Sequence, residues 1–212
     1  MTSWELQKKI HEAVKGKLSV GMTERDVADV ISGICPDWQG DLISGKRTAE
    51  IEGEATDKVI EKGDVLLLDL QVKSEGQWSD LTRVYFVGEI SDEQKEAYLK
   101  VKEAIRVGEE NLQPGVKGKD LWDIMRKTIN SPYAFDHHGG HRIGEAEEIV
   151  VNPRLIPDSD EDLKPGLIVT LEPAIYIPEK FGIRLENNYL ITEAGFERLD
   201  NLSLDENEYI CK

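Results

Sequence analysis

The stretch VLLLDLQVKSEGQWSDLTRVYFVG, residues 65–88, carries two β-rich runs around the turn signal Ser74-Glu75-Gly76, the pattern of a β-hairpin. A reversal about Ser74-Glu75 sets Lys73 against Gly76, Gln71 against Trp78 and Asp69 against Asp80. Directly opposed residues have Cβ atoms roughly 4.5 to 5.5 Å apart, and like charges at that distance oppose folding. Something positive is therefore expected between the two acids. The register depends on the turn; the shared face is sturdier, because residues two apart on a strand stay on one side of the sheet.

A second stretch, LIVTLEPAIYIPEKFGIRLENNYLIT, residues 167–192, repeats the arrangement: a reversal near Glu179 brings Glu172 opposite Glu186. A lone acid on a strand is most simply a solvated residue. Asp69, however, ends the apolar run Val65-Leu66-Leu67-Leu68, and Glu172 follows Leu167-Ile168-Val169-Thr170-Leu171. Runs of that kind belong to strands buried on both faces, where an unpaired ionised carboxylate is costly. His141 joins the set from FDHHGGHRIG, whose Gly139, Gly140 and Gly144 permit close backbone approach. Four oxygen ligands and one imidazole suit a pair of divalent ions such as Mn, Co, Zn or Fe better than Ca or Mg.

These segments resemble a known family. DLQVKSEGQWSDLTR, GGHRIG, TLEPAIY and GIRLENNYLIT are similar to the metal-binding segments of the pita-bread (M24-type) metallopeptidases, the group containing methionine aminopeptidase, aminopeptidase P, prolidase and creatinase. Gly21-Met22-Thr23-Glu24 and Pro114-Gly115-Val116 resemble its Xaa-Pro branch in particular. The resemblance implies an α+β pita-bread fold with pseudo-twofold halves around a curved antiparallel sheet. It also implies that Asp80 and Glu186 bridge two metal ions, that Asp69 chelates one, and that His141 and Glu172 bind the other. Glu172 is then the general base and acid, and His137 stabilises the oxyanion or orients substrate. The expected activity is that of a dinuclear metal-dependent hydrolase, an Xaa-Pro-type aminopeptidase or dipeptidase acting on small peptides through a water shared by the metals. A creatinase-like C–N hydrolase and a non-catalytic binding module are the alternatives.

The chain also departs from its apparent relatives. Two substrate-contacting histidines of such peptidases fall here on Glu52 and Glu148, and Arg142 stands where glycine is common. If Glu52 and Glu148 lie near the metals, they favour a cationic or hydroxyl-rich substrate over an ordinary Xaa-Pro dipeptide. Thr82 and Arg83 are candidates for holding the ligand carboxylates in place, with a structural ion pair as the other reading of Arg83. His138 reads equally well as a surface loop residue.

Around these motifs the sequence reads as two helices and then a hairpin, twice over. Leu6, Ile10, Ala13, Val14 and Leu18 form one helical stripe, and Thr23 can cap a second helix carrying Val27, Val30, Ile31 and Ile34. Ser91 and Gln94 form a capping box before Ala97, Tyr98, Val101, Ala104 and Ile105, and a further helix holds Leu121, Trp122, Ile124, Met125 and Ile129. The 212 residues are expected to form one domain, 1–212, that buries about 70 % of its unfolded surface. The resemblance makes this the catalytic domain without the N-terminal domain of many Xaa-Pro enzymes, and a homodimer is in keeping with it. A net charge of −16 disfavours nucleic acid as a partner. No stretch approaches a membrane span and no signal peptide is visible, so a cytoplasmic location with Cys35 and Cys211 reduced is expected.

Overall fold

Side-chain caps set the helix starts. The computed structural model describes residues 1–145 and 147–212. Helix α1 (Ser3–Lys17) begins at Thr2, whose hydroxyl accepts from Glu5 N–H while the Glu5 carboxylate accepts from Thr2 N–H. The same reciprocal box, Thr23 with Asp26 and Ser91 with Gln94, opens α2 (Glu24–Ser32) and α3 (Asp92–Asn111). Helix α4 (Gly118–Ile129) ends on Asn130 in the left-handed conformation. The apolar stripes read from the sequence are the buried ones: Leu6, Ile10 and Val14 on α1, Ala97, Tyr98, Val101, Ala104 and Ile105 on α3, and Leu121, Met125 and Ile129 on α4.

The strands are β1 (Leu42–Ser44), β2 (Val65–Ser74), β3 (Gln77–Val87), β4 (His141–Ile143), β5 (Val150–Arg154), β6 (Ile168–Leu171), β7 (Ala174–Ile177), β8 (Phe181–Arg184), β9 (Asn187–Thr192), β10 (Gly195–Arg198) and β11 (Ile210–Cys211). They form a four-stranded sheet in the order β1-β2-β3-β11, a five-stranded sheet in the order β10-β9-β6-β4-β5, and the two-stranded ribbon β7-β8. All pairings are antiparallel except β11 on β3. Each half thus runs helix, helix, short strand and then a hairpin that pairs with that short strand. This is the α+β pita-bread arrangement.

The first hairpin differs in register from the sequence reading. Ser74 pairs with Gln77, Asp69 lies opposite Thr82, and Asp80 lies opposite Gln71. Glu75 and Gly76, at φ 53° and 85°, are the two central residues of the turn. Positive φ at both positions matches the right-handed twist of the flanking strands, so the chain reverses one residue later than Ser74-Glu75. The ladder therefore slips by two, and Asp69 and Asp80 remain diagonal neighbours on one face.

In the second hairpin Leu171 pairs with Asn187 and Ala174 with Arg184, so Glu172 and Glu186 sit at the expected common level. The ladder is interrupted there, because Pro173 has no N–H to donate. Glu172 N–H turns to Gly139 O at 2.9 Å and Glu186 N–H to Thr82 O at 3.2 Å. The break joins the two sheets and turns both acids into the space between them. Arg83, fully buried, supports the junction: its guanidinium donates to the Glu186 carbonyl and to Asn187 Oδ1 at 2.8 Å, and lies 3.4 Å from Asp200.

Helix α1 brings a second buried polar pair against this sheet. His11 Nδ1 lies 2.7 Å from the Tyr85 hydroxyl. Burial, reinforced by the charge of Arg83, pushes the His11 pKa down to about 3. The folded state therefore binds fewer protons than the unfolded chain below the usual histidine value, and stability present above pH ~6.5 is lost as pH falls, by about 1.4 kcal/mol per unit. Urea unfolding at pH 7.5, 6 and 5 is expected to show a steeper loss for the parent than for His11→Gln. Parallel losses would contradict this assignment.

Candidate metal centre

Two glycines let separate strands approach closely enough to build the site. Gly40, at φ 115°, has no room for a Cβ against the Asp69 carbonyl, and Gly140, at φ 155°, has none against the Thr170 carbonyl. The first close approach lets Asp41 and Asp69 exchange backbone hydrogen bonds of 3.0 and 2.9 Å. The second lets His141 N–H reach Thr170 Oγ1 at 3.1 Å.

The result is a cavity of about 140 Å³ lined by Asp69, Asp80, His141, Glu172 and Glu186. The structure brings these five sequence-predicted residues together, all of them buried. His141 Nδ1 is 2.9 Å from the Arg142 carbonyl and donates to it. That tautomer leaves the Nε2 lone pair facing Asp80 Oδ2 at 3.4 Å, Glu172 Oε1 at 3.8 Å and Glu186 Oε1 at 4.0 Å. Asp69 Oδ1, Asp80 Oδ1 and Glu186 Oε1 are buried without a hydrogen-bond partner. Three orphaned carboxylate oxygens and an imidazole lone pair lining one cavity are costly to bury unless cations lie among them. The donor set of carboxylates plus one imidazole fits divalent transition ions.

The electrostatics agree. Burial, then the charges of Asp69 and Glu172, holds Asp80 well above the usual carboxylate range. Burial, then Asp80, Glu172 and Asp69, does the same to Glu186. Glu172 behaves oppositely: burial raises its pKa, but His138, His141 and His137 together outweigh this and bring it to about 2. His138 Nδ1 stands 3.1 Å from Glu172 Oε1, and Thr170 donates its hydroxyl to the same oxygen at 3.2 Å. Thr82 Oγ1 donates to Glu186 Oε2 at 2.9 Å.

Several residues that line the site were missed by the sequence reading. Arg184 donates Nη2 to Asp69 Oδ2 at 2.6 Å and to Asp41 Oδ2 at 3.2 Å, Nη1 to the Tyr176 hydroxyl at 2.9 Å and the Ile51 carbonyl at 3.0 Å, and Nε to Thr82 Oγ1 at 3.3 Å. Gln71 donates to Asp80 Oδ2 at 2.9 Å. Both follow from parity, since Arg184 lies two residues before Glu186 and Gln71 two after Asp69, on the same strand face. His138, which read equally as a loop residue, lines the cavity beside His137. His137 has both ring nitrogens engaged, Nδ1 with His138 O at 2.6 Å and Nε2 with the Tyr176 hydroxyl at 2.9 Å.

The residues proposed to contact substrate separate into two groups. Glu52 lines the cavity mouth and Ile51 lies next to it. Ile51 adopts φ 75° and ψ −53°, and Glu52 N–H bonds Glu50 O at 2.9 Å; this is a classic γ-turn, a strained geometry for a β-branched residue. Glu148 and Arg142, in contrast, line a separate depression with Gly144 and Val151, and Val150 is the β5 residue that reaches the cavity. The reason is the ladder: Arg142 pairs with Val151, and the register shifts between His141 and Arg142. Arg142 therefore faces away from His141, and Glu148 lies just before the returning arm of the β4–β5 hairpin, where Gly144 N–H bonds Ile149 O at 2.8 Å.

Removing one buried like charge relieves the metal-free protein. Glu186→Gln, after chelation, is expected to melt several degrees higher than the parent, since 1 kcal/mol corresponds to roughly 2–4 °C at this size. Added Mn or Zn is expected to raise the melting temperature of the parent but not of the variant. A lower-melting Glu186→Gln protein that still responds to metal would overturn this account of the centre.

A model of the family described as metallopeptidase family M24 matches residues 2–193. An Xaa-Pro dipeptidase of Pyrococcus horikoshii is 33% identical over 204 residues, covering 92% of this chain and 58% of its own length. An uncharacterized peptidase of Bacillus subtilis is 41% identical over 157 residues, covering 73% of this chain and 44% of its own. The crystal structure of an X-Pro aminopeptidase from Thermotoga maritima superposes with a TM-score of 0.89 at 32% identity, covering 99% of this chain and 60% of that one. The chain thus spans about half the length of the curated relatives it matches.

Proposed function

From the premise that this chain belongs to metallopeptidase family M24, we propose that it is a dinuclear metal-dependent peptidase that hydrolyses small Xaa-Pro-type peptides. The observation that carries this reading is the set of three buried, unpartnered carboxylate oxygens in the cavity that His141 also lines. Asp69, Asp80, His141, Glu172 and Glu186 are the residues that would hold two ions, with Mn, Co, Zn and Fe the candidates on donor grounds. Bound there, the ions supply an acidified water and polarise the scissile carbonyl.

The remaining work falls to the side chains. Glu172 Oε1, ionised and steered by the Thr170 hydroxyl and His138, takes the proton of the attacking water and passes it to the leaving amine. His137, fixed between His138 O and Tyr176, forms a rigid wall that orients substrate. Arg184 holds Asp69 by one oxygen and leaves the other turned to the cavity. The free thiols of Cys35 and Cys211 suit a reducing, cytoplasmic setting. Among the described residues no helix is long and apolar enough to cross a membrane.

The test is Glu172→Gln and Asp69→Asn assayed on Xaa-Pro peptides with each metal. Each substitution is expected to lower kcat by about 10² or more, and Asp69→Asn also to reduce metal stoichiometry by calorimetry. Full turnover in both folded variants would rule the mechanism out.

A further inference from the structure

Helix α1 carries Lys8, His11 and Lys15 at i, i+3 and i+7, on one face. Between that face and the segment from Asn201 to Tyr209 lies a cavity of about 210 Å³ that shares no lining residue with the metal cavity. The two belong to opposite faces of the sheet. Asp80 lines the metal cavity, and Tyr85, an odd number of residues further along β3, takes the other face and meets His11.

His11 lines the second cavity, is 1% exposed, and has an Nε2 with no hydrogen-bond partner. A buried polar nitrogen left so is costly, and a space of this size holds several waters or one small organic ion. Burial, reinforced by Arg83, keeps the His11 ring neutral, so it carries one proton. With that proton on Nδ1, the ring donates to the Tyr85 hydroxyl at 2.7 Å and Tyr85 donates to the His11 carbonyl at 3.3 Å; with it on Nε2, Tyr85 donates to Nδ1 and Nε2 becomes a donor. The second arrangement is the one an anion stabilises.

The charges decide for an anion. At the rim, Lys8 and Lys15 have exposed partners at 3.9 and 3.7 Å, Glu12 and Glu208. Two ammoniums against two carboxylates leave the rim neutral, and loose exposed pairs contribute little, so both lysines can turn to a better acceptor. The buried charge is positive. Arg83 donates Nε to the hydroxyl of Tyr209, a lining residue, at 3.3 Å. Its partner Asp200, 3.4 Å away, is shared with Arg198 at 2.6 Å. Charge inside the protein is screened less than charge at the rim. Ser203, also lining the cavity, accepts from Asp205 N–H at 3.0 Å and keeps its own hydroxyl proton to donate.

We propose that this cavity binds a small anion bearing a carboxylate or phosphate group, which accepts from His11 Nε2–H and from the ammonium groups of Lys8 and Lys15. The inference does not depend on the peptidase reading of the metal centre.

The test is NMR of the full chain with isotope-labelled histidine, in which the two ring nitrogens of His11 report which one carries the proton. Inorganic phosphate and succinate are titrated separately at an ionic strength held constant with NaCl. Either is expected to shift the Nε2 resonance saturably, with Kd of about 1 mM or below, and to leave the proton on Nε2; the tighter of the two identifies the group the cavity takes. Lys8→Gln/Lys15→Gln, at two exposed positions, is expected to weaken the response at least about tenfold, the loss implied by removing charged hydrogen-bond donors. Its His11 signals without added anion are expected to match those of the parent, which shows that the variant is folded. No saturable shift with either anion, a ring protonated on Nδ1 at saturation, the same shift from NaCl alone, or an undiminished response in the folded double variant overturns the inference.

Discussion

The structure is organised around the guanidinium of Arg184. From β8 it reaches Asp69 on β2, Thr82 on β3, Tyr176 on β7, Asp41 beside β1, and the carbonyl of Ile51. Five elements distant in sequence are thereby fixed to one planar group. Leaving either partner of such a buried pair alone costs about 3–5 kcal/mol, so the arrangement resists the loosening that four neighbouring carboxylates would otherwise cause. It also decides which oxygen of Asp69 points into the cavity, and it stabilises the strained γ-turn at Ile51 by bonding its carbonyl.

The second organising feature is a deliberate break in the sheet. A continuous β6–β9 hairpin would spend the N–H groups of Glu172 and Glu186 on each other's strand. With Pro173 in the ladder, those groups bond Gly139 and Thr82 instead, drawing the His141 loop and β3 toward the second hairpin. The acids that result are destabilising in isolation and useful together, a local conflict of the sort that marks functional sites. Arg83 on the far side of the junction, bonded to Glu186 O and Asn187, keeps the two sheets from separating.

Much of this was legible in the sequence because periodicity and parity survive small errors. The helix stripes, the Thr23 cap, the Ser91–Gln94 capping box and the repeated helix-helix-hairpin order all derive from local rules. Asp69 and Asp80 share a face although their register was two residues out, since the turn chemistry of Glu75-Gly76 was misplaced and the alternation was not. Glu172 and Glu186 kept their level because the reversal does centre on Glu179, at φ 59°. Glu148 and Arg142 fell outside the cavity because a linear offset from His141 cannot register the irregular pairing of β4 with β5. The saturation of Arg184 was not legible at all, because its five partners are scattered along the chain from Asp41 to Tyr176.

The central claim is that these buried acids and His141 exist to hold cations. Anomalous diffraction from crystals of the protein grown with saturating Mn measures it most directly. The account predicts anomalous peaks inside the cavity within bonding distance of Asp69, Asp80, His141, Glu172 and Glu186. Peaks confined to the exposed acidic surface, with the cavity carboxylates still unpartnered, would contradict it.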